Sequence, residues 1–386
     1  MASISDPTFA TPDQDTTLVL AIELSNVSWV LAAQIPGLPR LKAKQTIKPN
    51  AEALLAAIAG YRARASAAGR EVVRVVATYE AGWSGFWLAR WLIARDVEVH
   101  VIQPSSVPVD RRVRRAKSDG IDVELLLRTL LAWLRGEPRV CAMVPIPAEE
   151  DEDARRATRE REELVAERVS LVNRIDAVLA TLCVGGYDPL KRDRRERLAD
   201  LRTALDKPLP AHAHDRIKRL LDRLDLVRAQ IAELESERDA VLASEQPGRA
   251  EAMIQQLTRL RGIGAQTATV LVREAFVRAF PNAKALGAYA GLAATPYNSG
   301  GVVREQGIGK AGNRRLCSTV VELAWLWQRY QPGAGPVCWF RERVRGAGSR
   351  MRKIMVVALA RKLLLALWRF VRDGVMPEGA VLKPVV

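Results

Sequence analysis

Short apolar runs alternate with amphipathic stretches over the first 145 residues. The runs predict strands at residues 18–23, 29–33, 72–80 and 97–102. Asn50 predicts the N-cap of a helix that ends near Gly69, and residues 84–94 predict a second helix. Strands that alternate with helices predict an α/β layer with some parallel pairing. Two adjacent strands followed by βαβ units favour a mixed sheet of the ribonuclease-H-like kind.

The pattern changes after the prolines at 138, 145 and 147. Between residues 149 and 243, Glu, Arg, Leu and Ala dominate, and apolar residues recur at helical spacing. We expect two long helices with a break near residues 185–189. They form either an antiparallel hairpin or a coiled-coil dimer arm. The mixed charges favour a spacer or an assembly element over a catalytic one.

A third region begins after the break at residues 246–248. Gly262 and Gly264 lie between two helical segments, which fits a helix-hairpin-helix turn that binds phosphate, or a plain helical turn. Residues 284–290 predict a helix. Glycine and proline predict a loop over residues 291–301, and residues 304–315 form a basic, glycine-rich loop. Such a loop with an exposed hydroxyl suits phosphate handling, although Ser299 alone is typical of a turn.

These breaks predict four segments. They are a polar tail (1–17), an α/β domain (18–145), a helical arm (146–246) and a mainly α C-terminal domain (247–386). A length of 386 residues exceeds one typical core, and the apolar fraction of 48% indicates folded domains.

The net charge of +15 predicts a polyanionic partner, with nucleic acid first and an anionic membrane surface second. Because the basic residues are interleaved with acids, a polybasic membrane anchor is not expected. Residues 1–17 lack the pattern of a signal peptide, and basic residues interrupt the apolar stretch at 354–370, which favours an amphipathic helix over a membrane span.

The cysteines are few and scattered. Four cysteines without a CxxC pair, together with three histidines, argue against a zinc site and favour a reducing, cytoplasmic setting. The sequence also lacks a His/Asp triad to accompany Ser299, so esterase-type hydrolysis is not expected.

Four carboxylates are the candidate metal-binding residues. Glu23 and Glu80 lie at the ends of predicted strands, and Asp119 and Asp122 open the next element, where a spacing of three places them on one helix face. Four acids brought together would repel each other, and a pair of divalent cations would remove that repulsion and create a site for phosphoryl transfer. The same acids also fit helix caps and partners of the helix dipole.

Basic residues and glycines near these features form the candidate nucleic-acid contacts. A basic run directly precedes Asp119, and it fits either a phosphate clamp or a solvated helix face. The complete set is Arg111, Arg112, Arg114, Arg115, Lys117, Gly262, Gly264, Arg304, Lys310, Arg314 and Arg315.

In order and spacing, these segments resemble the DEDD-type insertion-sequence transposases of the insertion-sequence-110 family, described as bridge-RNA-guided DNA recombinases. The first half is similar to that family's RuvC-like domain at residues 22–25, 80–82, 103–104 and 117–122. The second half is similar to its transposase domain at residues 262–264, 288–292, 299–300 and 309–313.

The resemblance implies that Glu23, Glu80, Asp119 and Asp122 hold Mg²⁺ or Mn²⁺. It implies that Ser299 is the nucleophile that joins covalently to DNA, with the acids and the serine meeting as a composite centre between subunits. It further implies a structured noncoding RNA that pairs with target and donor DNA, so that the protein reads backbone and shape. The implied assembly is a homo-oligomer, from dimer to tetramer, in the bacterial cytoplasm and away from membranes.

The chain departs from the family pattern at three positions. Glu23 stands where the family has Asp, and the longer side chain changes the reach of its carboxylate. Gly309 and Cys317 stand where Ser and Arg are expected. The same residues are compatible with two other functions. One is a RuvC-like junction nuclease that uses water as nucleophile, and the other is a non-enzymatic RNA- or DNA-binding architectural protein.

Overall fold

The chain divides into two units, residues 1–148 and 149–386. The computed structural model describes residues 13, 15–39, 45–108, 119–299, 302–308 and 312–384. For residue 119 and for residues 294–299 and 302–306 it describes the backbone alone.

The first unit is built on a six-stranded mixed sheet. Its strands are β1 (Thr17–Leu24), β2 (Trp29–Gln34), β3 (Gln45–Ile47), β4 (Arg74–Glu80), β5 (Glu98–Ile102) and β6 (Met143–Val144). They are ordered β3-β2-β1-β4-β5-β6, with β1, β4 and β5 parallel and the remaining pairs antiparallel. The predicted α/β layer with a mixed sheet is therefore confirmed, whereas the short strands β3 and β6 were not predicted.

Helices cover both faces of this sheet. Helices α1 (Ala51–Ala67) and α2 (Trp87–Ile93) pack on one face, and α3 (Asp119–Leu134) packs on the other. Asn50 is the N-cap of α1, as predicted, and its side chain accepts a hydrogen bond from the Ala53 amide. Each face buries its own apolar core because residues on a strand alternate between the two faces.

The second unit is mainly helical. Its helices are α4 (Glu149–Asp153), α5 (Arg156–Ala180), α6 (Arg194–Asp200), α7 (Ala211–Leu242), α8 (Arg249–Thr258), α9 (Ala265–Leu271), α10 (Ala283–Tyr289), α11 (Arg314–Tyr330), α12 (Gly335–Arg343) and α13 (Ser349–Asp373). A π-helical turn, Val272–Phe276, extends α9. Within the described part of the chain, no helix combines the length and the apolar character that crossing a membrane requires.

Helices α5 and α7 form the antiparallel hairpin that we call the arm. Arg161 near the start of α5 donates to Glu235 near the end of α7 at 2.8 Å, which fixes the antiparallel order. Apolar residues of both helices, including Ile175 and Leu221, are buried against each other. The predicted pair of long helices is confirmed, and pairing as a coiled coil between chains stays a prediction.

The segment after α10 differs from the predicted loops. Strands β7 (Ala294–Ser299) and β8 (Val302–Ile308) pair as an antiparallel hairpin, the serine hairpin, in which Ser299 is paired with Val302. The predicted loops at 291–301 and 304–315 were therefore wrong over these strands, and also at Arg314, which begins α11. The two strands pair because the backbone N–H and C=O groups of each strand form hydrogen bonds with those of the other.

Candidate functional site

Two of the candidate acids lie side by side on neighbouring parallel strands. Ile22 of β1 is level with Tyr79 of β4, so the residues that follow, Glu23 and Glu80, lie at the same level at the carboxyl edge of the sheet. Neighbouring strands are about 4.8 Å apart, which brings the backbones of the two acids close together. Both side chains are half-buried.

Strand alternation places Glu23 and Glu80 on the sheet face that α3 covers. Val19 of β1 and Val76 of β4 belong to the core beneath α3, and the two acids lie an even number of residues further along the same strands. Asp119 is the first residue of α3, and Asp122 is half-buried one turn later. The structure thus places Glu23 and Glu80 side by side on the face that α3 covers, and Asp119 and Asp122 in the first turn of that helix.

The donor set fits a hard divalent cation. Carboxylate oxygens are the ligands that Mg²⁺ prefers, and two acids on adjacent strands can share one ion. Among the side chains that the structure describes, no three from His, Cys, Asp and Glu lie close enough together to hold a metal ion. The side chain of Asp119 is outside that description.

A cleft lined by tryptophan opens at the same edge of the sheet as the acids, on the face that α1 and α2 cover. Its volume is about 240 Å³, and its walls include Leu24, which follows Glu23, and Trp83, three residues after Glu80. Trp83 is 71% exposed and Trp87 is 43% exposed, which is unusual for such large apolar side chains. Exposed aromatic faces provide a surface on which an unpaired base can stack.

Several predicted nucleic-acid contacts lie outside the described residues. They are Arg111, Arg112, Arg114, Arg115, Lys117 and Lys310. For Ser299 and Arg304 the structure gives the backbone position only, on β7 and β8 respectively. Arg314 is exposed at the start of α11, whereas Arg315 makes ion pairs with Glu162 and Glu274.

The turn at Gly262 and Gly264 connects α8 to α9, as the helix-hairpin-helix interpretation requires. Gly262 has a φ of 86°, and a Cβ there would lie 2.9 Å from the Cβ of Tyr330. Part of the turn is already occupied, because the Arg261 amide donates to Val381 and the Arg261 carbonyl accepts from Gln331. The phosphate-binding function of this turn stays a prediction.

Comparisons with known proteins address both units. A family model described as "Transposase" matches residues 38–184, and the model of the "Transposase IS116/IS110/IS902 family" matches residues 254–336. A Sinorhizobium fredii protein assigned as transposase y4rJ is 45% identical over 374 residues, which cover 95% of this chain and 94% of the relative. The chain belongs to the IS116/IS110/IS902 family of transposases. The transposase for insertion sequence element IS1328 of Yersinia enterocolitica is 27% identical over 296 residues, covering 75% of this chain and 81% of the relative.

This transposase is therefore an enzyme that cuts and rejoins DNA. The first family match includes Glu80, Asp119 and Asp122, and the second includes Ser299, whereas Glu23 precedes the first match. The predicted membership of the insertion-sequence-110 family is confirmed. The roles of the individual residues stay predictions.

A buried carboxylate at the base of the serine hairpin was not predicted from the sequence. Glu274, in the π-helical turn, is 1% exposed. Arg159 of α5 donates to both of its oxygens, at 3.0 and 3.1 Å, and the Asn313 amide donates at 2.9 Å. The signal in the sequence was an acid inside the apolar run at residues 268–276, where a buried charge requires partners.

This network holds together the two ends of the segment that contains the hairpin. The backbone N–H of Asn313 donates to the backbone carbonyl of Tyr289 at 2.8 Å. The Tyr289 hydroxyl donates to the backbone carbonyl of Glu274 at 3.0 Å. Gly312 has a φ of 129°, and a Cβ there would lie 2.5 Å from the Gly291 nitrogen. The chain therefore enters and leaves the hairpin at one closely packed point, which we call the hairpin base.

The charge of Glu274 is stabilised at this point. Burial disfavours the charged form, but hydrogen bonds from Arg159 and Asn313, with the charges of Arg159 and Arg315, outweigh it and lower the pKa below its ordinary value of 4.5. Because the folded-state pKa is lowered, the contribution to stability is present above pH 4.5 and is lost as the pH falls through the folded-state value.

Glu274→Gln is expected to lower the free energy of unfolding by about 3 kcal/mol at pH 7, since it leaves Arg159 without its charged partner. We take the low end of the range for a broken buried pair because Arg159 is 45% exposed and water screens part of the interaction. The measurement is chemical denaturation of the full chain at pH 7 and at several values below pH 4.5. The difference from the unmodified protein should shrink with acid.

The matched control is Glu163→Gln on α5, an exposed glutamate. It should change the free energy of unfolding by less than about 0.5 kcal/mol. Equal stabilities for Glu274→Gln and Glu163→Gln at pH 7 would contradict the assigned role of the buried pair.

Proposed function

We propose that this transposase cuts and rejoins DNA through a covalent serine–DNA intermediate, with a divalent cation bound by Glu23, Glu80, Asp119 and Asp122. The observation that carries the metal site is the level placement of Glu23 and Glu80 on adjacent parallel strands, on the face covered by α3. Support for the serine comes from its place in the family match and on the serine hairpin.

The covalent step exchanges one ester bond for another. The Ser299 hydroxyl oxygen forms a bond to phosphorus, the bond from phosphorus to one sugar oxygen breaks, and that oxygen leaves as a hydroxyl. The proton lost by the serine balances the proton gained by the leaving oxygen. Rejoining is the reverse step with the hydroxyl of another strand, so no nucleotide cofactor is consumed. A serine hydroxyl is a weak nucleophile and requires activation.

The carboxylates provide the place for a cation, which when bound stabilises negative charge on the phosphate and on the attacking oxygen. Backbone geometry supports this assignment, since helix α3 presents Asp119 and Asp122 in its first turn. The direct test is strand exchange between two labelled DNA duplexes. Exchange should require Mg²⁺ or Mn²⁺ and should stop when the cation is chelated.

We further propose that a structured noncoding RNA selects the DNA sites and that the active assembly is a homo-oligomer of two to four chains. The net charge of +15 supports the binding of polyanions, RNA as well as DNA. The test of the guide is the target choice of the purified enzyme, which should be lost on RNase treatment and restored by RNA transcribed from the flanks of the gene. Sedimentation of the active complex tests the number of chains.

The junction nuclease is the second candidate, and the acidic edge of the sheet supports it equally. In that reaction water replaces Ser299 as nucleophile, so the products are free ends with no protein attached. The presence of a protein–DNA adduct separates the two candidates.

Trp83→Ala is expected to weaken the binding of single-stranded DNA. Stacking of one base on an aromatic side chain contributes about 1–3 kcal/mol, so the Kd should rise by about fivefold or more. Fluorescence anisotropy with a labelled oligonucleotide measures the change. Trp325→Ala is the matched control, because Trp325 is also an exposed tryptophan, at 51%, but lies on α11 in the other unit. An equal loss in both variants would contradict a base-stacking cleft.

A further inference from the structure

Four arginines on the arm surround one groove. Arg174 lies on α5, and Arg216, Arg219 and Arg223 lie on α7 at spacings of three and four, which places them on one face of that helix. Leu220 lies between them in the wall of a groove with a volume of about 350 Å³. All four arginines are exposed. We call this surface the arginine groove.

Three other arginines are paired with acids of α7, two on α6 and one on α5. Arg194 binds Asp225, and Arg195 binds both Asp222 and Asp225 at 2.7 Å. Arg161 pairs with Glu235. These pairs show that the arm supplies acids to its arginines where they serve the fold.

The groove differs in this respect. Within the part of the chain that the structure describes, none of its four guanidinium groups has a hydrogen bond or an ion pair. Of the acids that neighbour these arginines on α7, Asp222 pairs with Arg195, and Asp215 lies 3.6 Å from a ring nitrogen of His214. Four like charges around one concave surface repel each other, and salt screens this only in part. The groove therefore retains a strong local attraction for a polyanion.

The shape and the residue type favour phosphate. Arginine presents its donors in a planar fork that binds two oxygens of one anion at once, whether a phosphate or a carboxylate. The three arginines of α7 span roughly 10 Å along the helix, at 1.5 Å per residue. A run of successive phosphates matches such a row better than a single small anion does.

We propose that the arginine groove binds the sugar–phosphate backbone of the nucleic acid on which the transposase acts. The arm then has a binding function in addition to any role in spacing or assembly. The proposal rests on the action of the enzyme on nucleic acid, and it does not depend on Ser299 or on a bound cation.

The experiment compares two charge-matched double variants of the full chain. Arg216→Gln with Arg219→Gln removes two charges from the groove. Arg192→Gln with Lys218→Gln removes two charges from exposed positions that do not line the groove. Binding to a DNA duplex and to an RNA hairpin is measured by fluorescence anisotropy over a range of salt, without divalent cations so that no cleavage occurs. Circular dichroism confirms that the variants are folded.

The groove variant should bind about tenfold or more weakly, and the slope of log K against log salt should fall by about 2, at roughly 0.9 per duplex phosphate contact. Arg216→Lys with Arg219→Lys should restore most of the slope because it keeps both charges. A loss confined to DNA or to RNA identifies which backbone occupies the groove. The proposal is overturned if the groove variant and the control variant have the same affinity and the same salt dependence, whether both are weakened or both are unchanged. Neither result would bear on strand exchange, which is measured separately.

Discussion

Ser299→Ala is expected to abolish the covalent protein–DNA adduct while leaving nucleic-acid binding unchanged. The substitution removes one oxygen from a residue on the serine hairpin, and no other hydroxyl can take its place at the same backbone position. Loss of the attacking atom removes the covalent pathway entirely, as expected for a nucleophile. The measurement is a denaturing gel of labelled DNA after incubation with the enzyme, in which the adduct migrates with the protein.

Ser318→Ala on α11 serves as the control. Ser318 is exposed, and its hydroxyl donates only to the Arg315 carbonyl within the helix. It should give a normal adduct. An adduct of equal yield from Ser299→Ala would exclude this serine as nucleophile. Cleavage by the unmodified enzyme to free 3′-hydroxyl and 5′-phosphate ends, with no adduct at any time, would favour the junction nuclease.

Glu80→Gln and Asp122→Asn are each expected to reduce strand exchange by at least about 10²-fold, the usual cost of removing one preorganised electrostatic group. Each amide keeps the size of the side chain but removes the negative charge that holds a cation. Metal affinity should fall together with activity, so titration with Mn²⁺ provides a second readout. Adduct formation should fail at the same step.

Glu124→Gln is the control for the acids. Glu124 lies on α3 two residues after Asp122, and its carboxylate lies 3.9 Å from Arg128, with Arg128 64% and Glu124 32% exposed. It should retain activity within about twofold, since surface ion pairs contribute little. Full activity in both Glu80→Gln and Asp122→Asn, or in excess chelator, would exclude the acidic edge of the sheet as the metal site.

The sheet and its helices could be predicted because local signals determine them. Apolar runs correctly predicted four of the six strands of this sheet, and Asn50 correctly predicted the start of α1. Strand β3 has three residues and β6 has two, so neither contains enough alternation to be recognised. Glu23 and Glu80 lie at the same level only because β1 pairs with β4, and the sequence does not reveal this pairing of residues 57 positions apart.

The serine hairpin and the hairpin base show where sequence reasoning fell short. Gly300 and Gly301 between Ser299 and Val302 are a two-residue hairpin signal, but the neighbouring Pro296 favoured a loop. Glu274 was missed for a different reason. Its partners Arg159 and Asn313 are 115 and 39 residues away, so only the folded chain brings them together.

The bond between Arg159 and Glu274 also has a mechanical consequence. Arg159 belongs to the first turn of α5, and Glu274 holds Asn313 at the hairpin base. Rotation of the arm about the start of α5 would therefore have to break this half-exposed ion pair, at a cost of about 3 kcal/mol. The arm is thus joined through Glu274 to the base of the serine hairpin, and a displacement of the arm at this end would strain the point from which the strand with Ser299 extends.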